Sequence, residues 1–552
     1  MALSESRTLY ARGTQCVVHS FVGDQSSHLL VVENKSVLID CHLQQLAGQI
    51  RSLGLPQPTA ILHTHVQPEH CREGDSFASA KIFVPRGTAE LAGDVAGYRA
   101  RIQTKWDNPA DWPRTMGREA YGIAGCVTHR PPEMPLAVSG EISPGEVLAV
   151  GPMQLRAVAL PGHGLCALGY VLETAVEPRE VLALFSGDLL RDGPCLVNMY
   201  DLETTYGGTA VHELPSLLRI AAALDAPVFF PATGPVLPHG PGSAIELAGR
   251  IEEFLDSLRW SSGQFSPASA PATPPFSLGR YARIQRGVYQ ITNFGNCIVL
   301  IDDLGRGLMV DPGPCDFENS RRVEAFHADL DLLEKDGGLK SIERLLITHF
   351  HGDHYDMTQQ VLRRYPRCRV AAWDLVAQVI ESPDDFPYAC KLPWYNLGLD
   401  RVQVDDVTHV GKPYFWNDIR IDTEHLPGHS EAHAAYVLIF NGSRLAITGD
   451  SIQSRGDADG LNYILCNESV PEENSGCIAA YKAISRHAID LNVGGHGSHF
   501  RDCAAQYAES LRRMRHALPF LRNLFPHGDL RAAFHRPWFP DLRERRVTTD
   551  PA

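Results

Sequence analysis

Residues 348–354 read "THFHGDH", and residues 64–70 read "THVQPEH". The two stretches align without a gap. Gln67 stands in the second where the first has His351, and Glu69 where it has Asp353. His-x-His on an extended segment aims two imidazoles to one side, because alternate side chains of a strand share a face. The Asp-His pair that follows is expected at a corner where a strand gives way to a helix, so it can aim from another direction. Four such groups in six residues exceed the three protein ligands of one catalytic zinc, and suit a share in two ions.

The phrases do not repeat alone. Each is preceded by a hairpin-like pair of apolar runs ending in Asp, "HLLVVENKSVLIDCH" (28–42) and "CIVLIDDLGRGLMVDPGP" (297–314). Each is followed by three further echoes: "LPGHG" (160–164) with "LPGHS" (426–430), "LALFSGDLL" (182–190) with "LAITGDSI" (445–452), and "FFPATG" (229–234) with "NVGGHG" (492–497). The offset is 284 residues at the opening phrase, then 266, 262 and 263. Echoes in one order at a nearly constant offset read as two copies of one domain. Between them lies "SSGQFSPASAPATPPFSLG" (261–279), rich in Ser, Pro and Ala and free of charge, the composition of a linker. The expected division is 1–260, a linker at 261–279, and 280–552.

Composition narrows the classes. The chain has 552 residues, more than one hydrophobic core usually supports. Its net charge of −15 argues against a phosphate-backbone binder, since Lys and Arg supply most nucleic-acid affinity. The start, "MALSESRTLYARGTQ", lacks a basic-then-apolar signal pattern, and the longest apolar candidate, 217–237, is broken by Arg219, Asp225 and prolines. The thirteen Cys lack paired spacing and read as reduced thiols. A cytoplasmic protein with no membrane and no nucleic-acid partner is expected, and homo-oligomerisation is compatible with this composition.

In the second half, "IERLLITH" ends at His349, "RLAITGD" at Asp450 and "IDLNVGGH" at His496. Polar groups that follow strand-like runs gather along one edge of a sheet, where sites are built. Strands and helical patterns alternate, which predicts an α/β fold with helices covering mixed sheets. Helices are expected at 244–258, in "YDMTQQVLRRYP" after His354, at 478–488 and at 502–524, with Pro519 kinking or restarting the last. Adding His429 gives seven candidate metal ligands: His349, His351, Asp353, His354, His429, Asp450 and His496. Asp353 and Asp450 are the candidate catalytic carboxylates among them.

This half resembles the metallo-β-lactamase superfamily. The resemblance rests on Asp311 in "MVDPG", then "THFHGDH", "PGHS", "TGDS" and "GGHG", in that order. It implies two tandem αββα sandwiches. It also implies that His349, His351 and His429 hold a first metal, that Asp353, His354 and His496 hold a second, and that Asp450 bridges them, with Asp311 supporting. The all-His/Asp set is similar to those of the glyoxalase II, lactonase and ribonuclease Z branches. Met357 departs from the Gly often found there. Two Zn2+ per chain are expected, with Fe or Mn tolerated by the same donors. The implied chemistry is attack by a metal-bridging hydroxide on a small-molecule ester, thioester, lactone or amide. The alternatives are an iron-dependent persulfide dioxygenase-like enzyme, a ribonuclease Z-like nuclease, and a non-catalytic metal-stabilised scaffold.

In the first half His65, Glu69, His70, His163 and Asp188 remain, while Gln67 and Thr233 replace two His. Carbonyl and hydroxyl oxygens are weak ligands for a borderline-soft ion, so a degenerate site is expected. A single ion on His65, His163 and Asp188 is the alternative, and His63 or His239 could substitute. The insertion at 381–400, with Tyr388, Trp394 and Tyr395, is expected to be a pocket wall or a packed loop. His425 and His433, flanking His429, are candidates to orient a ligand. Cys390 and Cys466 need not be invoked. Residues 501–552 carry ten Arg against six acids, which reads as the solvated face of an amphipathic helix.

Overall fold

The computed structural model describes residues 4–23, 25–42, 45–66, 71, 76–94, 135–162, 166–197, 210–258, 281–292, 295–313, 322–382, 401–452, 472–496 and 499–530. Their contacts separate into two units. One holds the described residues up to 256 together with 520–529, and the other holds the described residues of 257–519 and Leu530.

In the first unit, strands β1 (Glu5–Ala11), β2 (Thr14–Val22), β3 (Ser26–Val32), β4 (Lys35–Ile39), β5 (Ala60–Leu62), β6 (Lys81–Pro85) and β7 (Val138–Ile142) form one sheet in sequence order. Strands β8 (Val147–Val150), β9 (Met153–Ala159), β10 (Leu168–Thr174), β11 (Val181–Gly187) and β12 (Val228–Pro231) form a second. The first four strands of each sheet pair antiparallel, and β4 to β7 and β11 to β12 pair parallel. The core lies between the sheets: Val18, Leu30, Ile39 and Leu62 of one meet Leu155, Tyr170, Leu172, Phe185 and Phe230 of the other. The helix Gly240–Leu258 turns Ala244, Leu247, Ala248, Ile251, Phe254 and Leu255 inward, the three-and-four spacing of one helical face.

The second unit has the same sheet order. Strands β13 (Tyr281–Gln285), β14 (Val288–Thr292), β15 (Asn296–Ile301), β16 (Arg306–Val310), β17 (Ser341–Ile347), β18 (Arg369–Trp373) and β19 (Asp406–Thr408) form its first sheet. Strands β20 (Tyr414–Trp416), β21 (Ile419–His425), β22 (Ala434–Phe440), β23 (Ser443–Ile447) and β24 (Leu491–Val493) form its second. Strand β15, "NCIVLI", is buried at every position, as a central strand covered on both faces should be. Each unit is thus a two-sheet α/β sandwich of the predicted αββα kind.

Some elements differ from the sequence reading. "YDMTQQVLRRYP" gives two helices, Gly352–Tyr355 and Thr358–Arg364. The break falls where the Met357 N–H turns away to donate to Pro312 O at 2.8 Å. The last helix, Cys503–Arg522, runs through Pro519. The proline falls in its final turn, and Tyr507, Met514, Ala517 and Leu521 are buried on either side of it. No helix among the described residues is long and apolar enough to cross a membrane.

Candidate metal centre

In the second unit the cluster assembles at strand ends. Strands β17, β21, β23 and β24 each stop within a few residues of a candidate ligand: His349, His429, Asp450 and His496 respectively. After β17 the chain stays extended, so His349 and His351 face the cluster while Phe350 between them is buried in the core. His351 is extended (φ −73°, ψ 141°) and opens the one-turn helix that carries Asp353 and His354. Asp450 lies on a single 3-10 turn, Gly449–Ser451.

All seven sequence-predicted side chains come together. One group is His349, His351, His429 and Asp450, and a second is Asp353, His354, Asp450 and His496, each with its ligand atoms within 4.8 Å of one another. Asp450 belongs to both. Its Oδ1 is 3.2 Å from His354 Nε2, and its Oδ2 is 3.1 Å from His496 Nε2 and 3.4 Å from His429 Nε2. Asp353 Oδ2 is 3.2 Å from His496 Nε2, and His351 Nδ1 is 2.8 Å from His429 Nε2. The side chains of His429 and His496 are about a quarter exposed, so the cluster opens to solvent on their side.

The donor set fits divalent metal. The Nε2 atoms of His349 and His351 are buried without a hydrogen-bond partner, beside the His354–Asp450 ion pair. A buried orphan costs about 1–3 kcal/mol, and two such atoms, both of metal-donor type, sit here. Burial and the surrounding imidazoles hold His349 and His351 well below the ordinary histidine range, so they present neutral lone pairs. Burial also disfavours protonation of His354 and His496, but the Asp450 and Asp353 carboxylates outweigh it and push both up, His496 to about 10. Burial opposes ionisation of Asp353 and Asp450, but the imidazoles of His354 and His496 outweigh it and hold both well below the carboxylate range. Metal binding at such a cluster displaces protons.

A shell of hydrogen bonds orients the histidines. Asp311, in the left-handed region at φ 54°, accepts from Thr348 N (2.8 Å) and Thr348 Oγ1 (2.6 Å), and its Oδ2 lies 3.2 Å from His354 Nδ1. Thr348 Oγ1 is 3.0 Å from His349 Nδ1, which turns the Nε2 of that ring toward the cluster. The sequence reading passed over this threonine, although both seven-residue phrases begin with it. It also missed Gly495, where a Cβ would fall 2.1 Å from Asp450 Oδ1 and 2.7 Å from His354 Cε1. His425 does not join the cluster. Its ring lies against Trp373 with centroids 4.5 Å apart, and its Nε2 is 2.9 Å from Glu431 O.

The first unit keeps the shell, and no metal-sized group forms among its described residues. Asp40, at φ 53°, accepts from Thr64 N and Thr64 Oγ1, both at 2.8 Å, and Thr64 Oγ1 is 3.0 Å from His65 Nδ1. His65 Nε2 stands 3.7 Å from Asp188 Oδ2. Thr233 Oγ1 lies 2.8 Å from Asp188 Oδ1 and 2.9 Å from Gln25 Oε1. Of the two proposed substitutes, His239 is exposed, and His63 Nδ1 faces Asp40 Oδ1 and Cys71 Sγ, each at 3.8 Å. Among the described residues, every metal-sized group lies in the second unit. Gln67, Glu69, His70, His163, Tyr388, Cys390, Trp394, Tyr395 and Cys466 lie outside the described residues, as does the linker.

Comparison with known proteins bears on the same region. Residues 291–516 match the family model described as the metallo-beta-lactamase superfamily. The chain is similar to an atrochrysone carboxyl ACP thioesterase of Aspergillus novofumigatus, 26% identical over 205 residues, which are 36% of this chain and 52% of that one. It is similar to an acyl-coenzyme A thioesterase of Gallus gallus, 28% identical over 159 residues, 27% of this chain and 51% of that one. The chain spans about half the length of these curated relatives. Among solved structures, a metallo-beta-lactamase of Cronobacter sakazakii is similar at 16% identity and TM-score 0.34, covering 44% of this chain and 98% of that one.

Proposed function

We propose that this chain, which through residues 291–516 belongs to the metallo-β-lactamase superfamily, is a dinuclear metal-dependent hydrolase of small-molecule thioesters. The observation that carries the reading is the pair of ligand groups sharing Asp450. His349, His351 and His429 would hold one ion, Asp353, His354 and His496 the other, and Asp450 both. Imidazole and carboxylate donors suit zinc and tolerate iron or manganese. When bound, a pair of divalent ions supplies Lewis acidity, polarising a carbonyl oxygen and lowering the pKa of water. The chain's own part is to hold that pair rigidly. Asp311 and Thr348 fix the rings of His354 and His349, burial keeps competing water from most of the ligands, and the partly exposed His429 and His496 leave one side open to a substrate. The relatives named as thioesterases support a thioester as the favoured member of the ester, lactone and amide class.

The first unit would then be a copy that has lost the chemistry. The repeated sequence echoes and the shared sheet order support duplication, and Thr233 beside Asp188 supports a site closed by hydrogen bonds in place of an ion.

The test is metal analysis with a hydrolysis panel of acyl-CoA thioesters, lactones and a tRNA precursor, with and without chelator. We expect about two zinc ions per chain and chelator-sensitive thioester cleavage. Asp450→Ala should lower that cleavage by roughly 100-fold or more. One iron per chain, or cleavage of the RNA alone, would sink the reading.

A further inference from the structure

His433 belongs to neither ligand group, yet it is fully buried beside both. Its backbone is tied on two sides. It forms an isolated antiparallel bridge with His349, its carbonyl accepts from Leu426 N at 3.0 Å, and the next residue, Ala434, donates its N–H to Thr348 O at 2.8 Å. Its ring stacks on His349, with centroids 4.5 Å apart and planes 25° from parallel. Its Nε2 lies 3.1 Å from the backbone N of Asp450. That amide can only donate, so Nε2 is the acceptor and the ring proton sits on Nδ1.

The contact matters because of where Asp450 stands. The leading N–H groups of a short helical turn have no partner within the turn. In the turn Gly449–Ser451, His433 takes the amide of the residue whose carboxylate is shared by both ligand groups. Gly449 permits the approach, at φ 48°, where a Cβ would come 2.7 Å from both Cε1 and Nε2 of His433. The first unit offers a contrast. Leu168 N–H donates to Thr64 O at 2.8 Å as Ala434 does to Thr348, which puts Ala167 at the place of His433. A methyl group cannot accept a hydrogen bond. The imidazole is therefore present in the unit with the full ligand cluster and absent from the one where Thr233 lies against the corresponding carboxylate.

We propose that His433 is a positioning residue of the metal centre: by accepting the Asp450 amide N–H and lying flat on His349, it fixes the shared carboxylate and a fully buried imidazole in ligating geometry. This rests on the metal-centre reading above. Three variants separate its contributions. His433→Gln places an amide oxygen at the reach of Nε2, keeping the acceptor without the ring. His433→Phe keeps the stack without the acceptor, and His433→Ala removes both. The measurements are zinc affinity, by competition with a chromophoric chelator, and kcat and KM for thioester hydrolysis. Circular dichroism of each chelated variant reports folding.

Loss of the acceptor should weaken zinc binding by about 10–100-fold and lower kcat with KM little changed, while the Gln variant stays within about threefold of wild type. If the Phe variant fails to fold, the Ala and Gln pair still isolates the acceptor. Zinc affinity and kcat in the Phe or Ala variant equal to those of the wild type would overturn the proposal, as would a Gln variant no better than Ala. A wild-type protein that binds no zinc, cobalt or iron would instead overturn the metal centre itself, and the role of His433 with it.

Discussion

Two single residues make the tightest physical statements. Gly495 has no room for a side chain, since its Cβ would overlap Asp450 Oδ1 and His354 Cε1. Gly495→Ala should therefore displace a ligand. The expected result is loss of metal from a protein whose circular dichroism is unchanged, and a variant that retains full zinc content would contradict it. Asp329 is a different case. It is 2% exposed on the helix Arg322–Asp336, its Oδ1 has no hydrogen-bond partner, and burial pushes its pKa up to about 6 from 3.8. A carboxyl whose folded pKa is raised holds its proton more tightly in the folded state, so it costs nothing in acid. The destabilisation grows as pH rises from the unfolded value through the folded one. Asp329→Asn should thus stabilise the protein above pH 6 by about 1–3 kcal/mol and have little effect near pH 4. Melting curves across that range are the check, and a gain independent of pH would show that burial of the charge is not the cause.

At the level of elements, the apolar runs that end in polar groups were legible because a strand buried on both faces has few alternatives. "SIERLLI" and "SRLAI" became β17 and β23, and His349 and Asp450 just after them joined the cluster. The candidate ligands were legible for the same reason, since polar side chains placed just after strand ends gather along one edge of the sheets. What the sequence hid was distance between elements. Nothing local in "MVDPG" says that Asp311, at the end of β16, grips Thr348 after β17, or that His433 before β22 accepts the amide of Asp450 after β23. Nor could the cost of Pro519 be weighed against the buried side chains that hold its helix together. The Asp–Thr clasp occurs in both units and yields a paired prediction. Thr348→Val and Thr64→Val each leave a buried carboxylate oxygen short of a donor, costing roughly 1–3 kcal/mol of stability. Only Thr348→Val should also weaken metal binding, because among the described residues only its histidine faces a complete ligand group. Equal zinc affinity in the two variants would break the argument.

Across the whole molecule, the two units carry one architecture with opposite solutions for the same carboxylate. In the first, the Thr233 hydroxyl lies 2.8 Å from Asp188, a neutral partner that needs no ion. In the second, Asp450 stands among three imidazoles at 3.1 to 3.4 Å, a donor set that an ion would complete. Metal that binds only the folded state adds stability by mass action, about 2.7 kcal/mol per site at a hundred times the dissociation constant. Among the described residues, only the second unit offers a donor group for that gain. Chelation should therefore act unevenly along the chain. Hydrogen exchange read by mass spectrometry should show protection falling in residues 344–351 and 445–452 when metal is withdrawn, while 60–66 and 182–189 keep theirs. Restoring zinc should return the first pair of segments to their starting rates. A uniform loss of protection in both units, or none in either, would mean that the second unit does not depend on an ion in the way its converging donors imply.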